Sequence, residues 1–299
     1  MANVLITGTS SGIGLAAALE LGRAGHNVYA TMRNPARAPE LGEQAVREGL
    51  PVSILAMDVD SDQSVASCFA SIKQQGVEID VLVNNAGIEH HGSVEELPLE
   101  ACRSIMETNY FGALRCIHQV LPSIRERRSG CIINVTSIVG KIALSPLGAY
   151  SASKFALEAL SEALAQEMKP FGVRVAIVQP GIIDTPMARA FDTSPPSRYR
   201  QGRHFTELVQ ASLDPPTPPS VVATVVRNIV ESGTWKLRHP AGPDAEPFLG
   251  WRSAMTDEEW IDFQALDTEN FAKRVKNDFG LELKIASENT QSSAAVTGD

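Results

Sequence analysis

From its first residues the chain alternates short apolar runs with longer stretches of helical spacing, and this alternation constrains its fold more than any other feature. Val4, Leu5 and Ile6 form a run too short for a helix, and comparable runs recur at 27–31, 52–57, 81–83, 131–135 and 173–178. Short continuous apolar runs read as strands buried on both faces. Helical stretches fall between them, at 12–24, 38–48, 62–75, 98–121 and 150–169. Strands separated by helices imply an α/β fold: a Rossmann-type, doubly wound parallel sheet with helices on both faces. A single domain over 1–286 is expected. Ligands of such sheets bind beyond the strand carboxyl ends, where the strand order reverses.

After Gly181 the pattern changes. Seven prolines between 186 and 219 mark a long loop, with a short helix inside it near 203–212. A long loop in a compact domain is often a lid, so 184–219 is read as the substrate lid. A helix should start near Pro218 and Pro219 and run to about Glu231, because proline suits the first helical turn. Residues 235–286 form a C-terminal extension, with a last strand at 235–238 and a helix near 256–276. The small, polar stretch 287–299 reads as a disordered tail.

Among the 299 residues the formal net charge is -9, which argues against a nucleic-acid or anionic-membrane partner, since both require a basic face. No apolar run approaches the roughly 18 residues of a membrane helix. No leader is expected, because the first strand runs directly into Thr7 and Gly8. Cys68, Cys102, Cys116 and Cys131 lack the spacing of a zinc site or a disulfide framework, and reduced thiols fit a cytoplasmic protein.

The loop Thr7-Gly8-Thr9-Ser10-Ser11-Gly12-Ile13-Gly14 joins the first strand to the first helix. Its glycines permit a tight turn, and the helix N-terminus offers free N–H groups to a pyrophosphate. The spacing is neither the common Gly-x-Gly-x-x-Gly fingerprint nor a P-loop, so taken alone it is also compatible with a glycine-rich turn that binds nothing. At the end of the second strand the chain reads Ala30-Thr31-Met32-Arg33. A site for NAD usually carries a carboxylate there, whereas a guanidinium grips a 2′-phosphate. NADP(H) is therefore the expected cofactor.

Tyr150 and Lys154 stand four residues apart on one helical face. A cation at about 4 Å is worth roughly 4 kcal/mol at an effective dielectric near 20, which lowers a phenol pKa by up to about three units before desolvation subtracts. Tyr150 would then exchange a proton with an alcohol or carbonyl near neutral pH, although such a pair, taken alone, is usually surface decoration. Ser137 follows a strand end, where a hydroxyl either donates to a substrate oxygen or caps a turn.

Taken together, these motifs resemble the short-chain dehydrogenase/reductase family, in its single-domain branch. The resemblance spans about residues 3–190: the glycine loop, Asp58-Val59, Asn84-Asn85-Ala86-Gly87, Asn109, Ser137, Tyr150 to Lys154, and Pro180 to Thr185, all in the family's order. It implies that Gly8, Ser10, Ser11, Gly12, Ile13 and Gly14 hold the pyrophosphate and adenosine ribose. Asp58 and Val59 would meet the adenine, with Arg33 at the position of an NADP-preferring member's basic residue. Asn85, Ala86 and Gly87 would line the ribose site, and Pro180, Gly181, Ile183 and Thr185 would cover the nicotinamide. Tyr150 would be the acid/base and Lys154 would bind the nicotinamide ribose and lower the Tyr150 pKa. Ser137 would orient the carbonyl, and Asn109 would hold a water relaying protons from Lys154. The reaction implied interconverts a ketone or aldehyde with an alcohol.

The C-terminal extension resembles members acting on hydroxysteroids, retinoids or other bulky alcohols. Candidate substrate contacts are Glu89, His90, His91, Ser137, Val139, Leu147, Met187, Phe191, Tyr199 and Phe205, whose aromatic members suggest an apolar substrate. The adjacent histidines diverge and lack a third ligand, so no metal is expected. On the helix 150–169, Phe155, Ala156, Ala159, Leu160, Ala163 and Leu164 form a stripe expected to face the sheet. Relatives dimerise through this helix, which implies a homodimer or homotetramer. Two rivals remain: a 3-oxoacyl thioester reductase, disfavoured by the long C-terminal region, and a catalytically idle NADP(H)-sensing protein, disfavoured by the intact set of Asn109, Ser137, Tyr150 and Lys154.

Overall fold

A computed structural model describes residues 1–190 and 197–284. Among these residues the strands are β1 (Asn3–Thr7), β2 (Asn27–Met32), β3 (Val52–Ala56), β4 (Val81–Asn84), β5 (Gly130–Val135), β6 (Val173–Pro180) and β7 (Arg238–Ala241). They form one sheet in the order β3-β2-β1-β4-β5-β6-β7, with every pairing parallel. The order reverses at β1, which lies between β2 and β4. This is the Rossmann-type architecture that the alternation implies.

The helices are α1 (Gly12–Arg23), α2 (Glu40–Glu48), α3 (Asp62–Gln74), α4 (Leu99–Met106), α5 (Ala113–Glu126), α6 (Gly148–Met168), α7 (Pro186–Arg189), α8 (Arg200–Ser212), α9 (Ser220–Ser232), α10 (Ala245–Ser253), α11 (Asp257–Ala265) and α12 (Thr268–Phe279). The period of two along each strand explains the continuous apolar runs. Val4 and Ile6 join Ala17, Leu21, Val222 and Val226 from α1 and α9 on one face. Leu5 joins Val65, Ile117, Val120 and Leu164 from α3, α5 and α6 on the other. Fully burying one such side chain is worth about 1.5–3 kcal/mol, so both layers are driven by the same central strands.

Several expectations need correction. The helix read over 98–121 is interrupted by a π-helical segment, Glu107–Gly112, between α4 and α5. The last strand begins at Arg238 rather than at 235. The helix near 256–276 is two helices, because Asp267 ends one and caps the next by accepting from the Asn270 amide. A further helix, α10, precedes them. The buried face of α6 is Tyr150, Lys154, Leu157, Glu158, Ser161, Leu164 and Met168, whereas Phe155 is exposed. The apolar stripe misled because polar groups on this helix are buried in hydrogen bonds: Asn134 donates to Ser161 (2.7 Å), and Thr136 and Gln179 donate to Glu158 (3.0 and 2.9 Å).

All four cysteines are free, and burial pushes the Cys68 and Cys131 thiols up to about 11 and Cys116 to about 12. Among the described residues, no helix is long and apolar enough to cross a membrane.

Candidate active site

Where the sheet order reverses, the loops after β1 and β4 part, but they remain tied to each other. The Thr7 hydroxyl accepts from the Asn85 and Ala86 amides at 3.0 and 2.9 Å. The Asn85 side chain donates to the carbonyls of Thr7 and Gly8, both at 3.0 Å. Gly8 and Gly12 adopt φ of +71° and +55°. A Cβ on Gly14 would lie 2.2 Å from the Gly8 carbonyl oxygen, so only glycine lets the helix start so close to the loop. Ser11 stands at the α1 N-cap in extended conformation without capping it through its side chain, and no acid occupies the first turn. By contrast, Ser61 caps α3 by accepting from the Ser64 amide. The start of α1 therefore presents N–H groups and the positive dipole end to a ligand, which fits the pyrophosphate of a dinucleotide.

A cleft of about 350 Å³, within the usual range of ligand sites, begins at this loop. At its outer end lie Met32, Arg33, Asp58, Val59 and Asp60. Arg33 is exposed and makes no hydrogen bond or ion pair with the described residues. Burial raises the Asp60 carboxyl, which accepts from the Thr108 hydroxyl at 3.0 Å.

Farther in, β5 delivers Ser137 and α6 delivers Tyr150 and Lys154. Ser137 caps the short turn 138–140, accepting from the Val139 amide at 3.2 Å, and donates to the Pro180 carbonyl at a long 3.4 Å. Ser137 thus caps its turn, as one of the two readings has it, and also lines the cleft. Lys154 donates to the Val135 carbonyl at 3.1 Å, and its Nζ lies 5.6 Å from the Tyr150 ring centroid. Burial draws the Lys154 ammonium down to about 8, with the nearby charge of Glu89 acting the other way. Burial, helped by Glu89, pushes the Tyr150 phenol above its ordinary value. Within the protein itself, burial thus acts on the phenol in the direction opposite to the lowering expected from Lys154.

Asn109 comes from the π-helical segment, a feature frequent at functional sites. Its Nδ2 donates to the Ile88 carbonyl and the Ser153 hydroxyl at 2.9 and 3.0 Å, and its Oδ1 accepts from the Ile88 amide at 2.8 Å. The side chain is committed to holding the segment after β4.

A family model described as short chain dehydrogenase matches residues 2–195. The chain belongs to the short-chain dehydrogenase family. Its members use nicotinamide cofactors to oxidise alcohols or reduce carbonyls. The chain is 35% identical over 266 residues to the uncharacterised oxidoreductase YusZ of Bacillus subtilis, covering 86% of this chain and 94% of that one. It is 43% identical over 187 residues to retinol dehydrogenase 8 of Bos taurus, covering 61% of this chain and 59% of that protein's length. Among solved structures, an actinorhodin polyketide ketoreductase with NADPH superposes with a TM-score of 0.71 at 29% identity, over 80% of this chain and 95% of that one.

The cleft of this short-chain dehydrogenase brings together most of the residues singled out from sequence. Gly8, Ser10, Ser11, Gly12, Ile13, Arg33, Asp58, Val59, Asn85, Ala86 and Gly87 line its outer half. Glu89, Ser137, Val139, Leu147, Tyr150, Lys154, Pro180, Gly181, Ile183, Thr185, Met187 and Phe205 line its inner half. Gly14 and Asn109 pack behind the lining. His90 is exposed and outside it, and His91 is outside it but bonded to Glu89. Tyr199 lies away from the cleft with its hydroxyl on Glu95. Phe191 lies outside the described residues.

Sequence reasoning missed three sets of residues. The inner chamber is walled by Phe248, Trp251, Trp260, Phe263, Phe271 and Phe279 from α10 to α12, none of which carries a motif. Asp244, half-buried at the start of α10, accepts from the Ile182 amide at 2.7 Å and so anchors the segment 180–185. Glu158, one turn beyond Lys154, binds Arg238 at 2.9 Å and fastens α6 to β7. A buried glutamate on the catalytic helix face, four residues after Lys154, was the available signal.

Proposed function

We propose that the protein is an NADP(H)-dependent oxidoreductase that reduces a bulky apolar ketone or aldehyde, or runs the reverse oxidation, with Tyr150 as the proton carrier. The observation that carries this reading is the continuity of one cleft, from Arg33 past Tyr150 and Lys154 into an aromatic chamber. Arg33 favours a 2′-phosphate, since no carboxylate at the end of β2 repels it. Similarity to a ketoreductase with NADPH and to a retinol dehydrogenase points the same way.

When bound, the nicotinamide supplies or accepts the hydride. The chain's own residues do the rest. Tyr150 donates its phenolic proton to the carbonyl oxygen. Ser137, whose bond to Pro180 is long, turns its hydroxyl toward the same oxygen as charge develops. Lys154 stabilises negative charge on the phenol and binds ribose. The chamber excludes water and holds the apolar remainder of the substrate. Phe155, exposed on α6, supports assembly of the protein through that helix as a homodimer or homotetramer.

NADPH oxidation, followed at 340 nm with steroid ketones, retinal, aromatic ketones and an acetoacetyl thioester, with NADH in parallel, tests the reading. Turnover of a bulky ketone with NADPH is expected. Turnover of the thioester alone would replace the reading with the thioester reductase, and tight NADPH binding without turnover would revive the sensing role.

A further inference from the structure

The charged side chains that line the cleft divide by position. Arg33, Asp58 and Asp60 stand at the outer end, and Lys154 stands beside the phenol. The remaining one among the described residues is the Glu89 carboxylate, at the mouth of a chamber otherwise walled by groups such as Phe205, Leu208, Phe248 and Trp251. Its backbone is fixed, because Asn109 grips the preceding residue, Ile88, through both amide and carbonyl. Its side chain is fixed as well, because Oε1 accepts from His91 Nε2, and the His91 ring meets the Phe205 ring edge-on at 5.5 Å between centroids. Oε2 has no hydrogen-bond partner among the described residues. Glu89 lines the same cleft as Tyr150 and Lys154.

A carboxylate oxygen without a protein donor, on a side chain that lines a largely apolar cleft, is costly unless a donor meets it. The redox chemistry leaves this oxygen unused, because Tyr150 and Lys154 already carry the proton and the charge. Resting on the reading of the site as a carbonyl reductase, we propose that Glu89, held by His91, selects substrates that bear a protonated amine close to the reacting carbonyl of an otherwise apolar ketone. A hydroxyl would satisfy the oxygen but not its charge. In a chamber with few polar groups a cation gains both Coulomb energy and a charge-assisted hydrogen bond. Reduction adds a hydride to the carbonyl carbon and a proton to its oxygen, and leaves the amine unchanged.

The test compares kcat/KM, near neutral pH and with NADPH, for three ketones of the same long alkyl chain: the α-amino ketone, the α-hydroxy ketone and the unsubstituted ketone. The wild-type protein should prefer the amino ketone over the unsubstituted one by about tenfold or more. Glu89→Gln keeps shape and an acceptor but removes the charge, so the amino preference should fall toward that of the hydroxy ketone. Equal or better use of the unsubstituted ketone by the wild type overturns the proposal, whether or not the variant folds. An amino preference that survives Glu89→Gln overturns it too. Those results leave the reductase reading intact, whereas no turnover of any ketone, in either cofactor, removes both.

Discussion

Replacing Arg33 by Ala isolates the basis of cofactor choice. The guanidinium is exposed at the end of β2 and pairs with no described carboxylate, so its loss should change folding stability by no more than about 0.5 kcal/mol. Its effect falls on the ligand. Hydrogen bonds to a charged group are worth about 1.5–3 kcal/mol, and exposure places this one at the lower end. At 1.4 kcal/mol per tenfold, the Kd for NADPH should rise about 10- to 30-fold. NADH, which lacks the phosphate, should shift by less than about twofold. Calorimetric or fluorescence titration of both cofactors at two salt concentrations provides the measurement. The wild-type advantage for NADPH should shrink at high salt, and the variant's should barely change. Equal losses for both cofactors, or no loss for NADPH, would refute the assignment of Arg33 to the 2′-phosphate.

Three further outcomes are expected. Tyr150→Phe should abolish turnover while retaining NADPH binding in titration, and wild-type-like rates would sink the proton-carrier role. The Lys154 ammonium, drawn to about 8, loses its proton as pH rises, so kcat/KM for reduction should fall through a limb near pH 8. Lys154→Arg should move that limb beyond the accessible range, and an unshifted limb would assign it to another group. Arg238→Ala should cost about 2 kcal/mol in chemical denaturation, since it leaves the buried Glu158 with only the more distant, half-exposed Lys141 as a cation, at 3.9 Å. The Arg238→Ala/Glu158→Gln double variant should recover part of that loss, and additive losses would show that the pair does not couple.

The sheet was legible because each of its first six strands is a short apolar run whose alternate residues feed different faces. β7, with sequence Arg-His-Pro-Ala, carries no such signal and owes its place to pairing with β6. The residues that line the cleft from the glycine loop to Tyr150 and Lys154 were legible because turn geometry, helix termini and the four-residue spacing on α6 leave little choice of residue. The face of α6 was misjudged because hydrogen bonds make Ser153, Glu158 and Ser161 as buried as leucines. The chamber was illegible for the opposite reason. Any aromatic set of suitable volume can wall it, so Trp251, Trp260 and Phe279 looked like ordinary core residues until α10 to α12 were seen to fold over the cleft.

That wall and the reaction centre are not independent. Tyr150 packs in one cluster with Val139, Leu147, Ala245 and Phe248, so the side chains that shape the chamber also support the ring proposed to carry the proton. Asp244, one residue before Ala245, ties the same helix to the Ile182 amide in the segment read as covering the nicotinamide. A Cβ on Gly181 would lie 2.2 Å from the Asp244 carboxylate, so this junction has no slack. Under the proposed function, the C-terminal helices therefore bear on catalysis through position as well as on substrate choice through shape. Packed interiors transmit displacements rather than absorb them. A change of side-chain volume at Phe248 will consequently reach the phenol, whereas one at Phe263, packed in the outer cluster with Phe271 and Val275, will be felt first by the substrate.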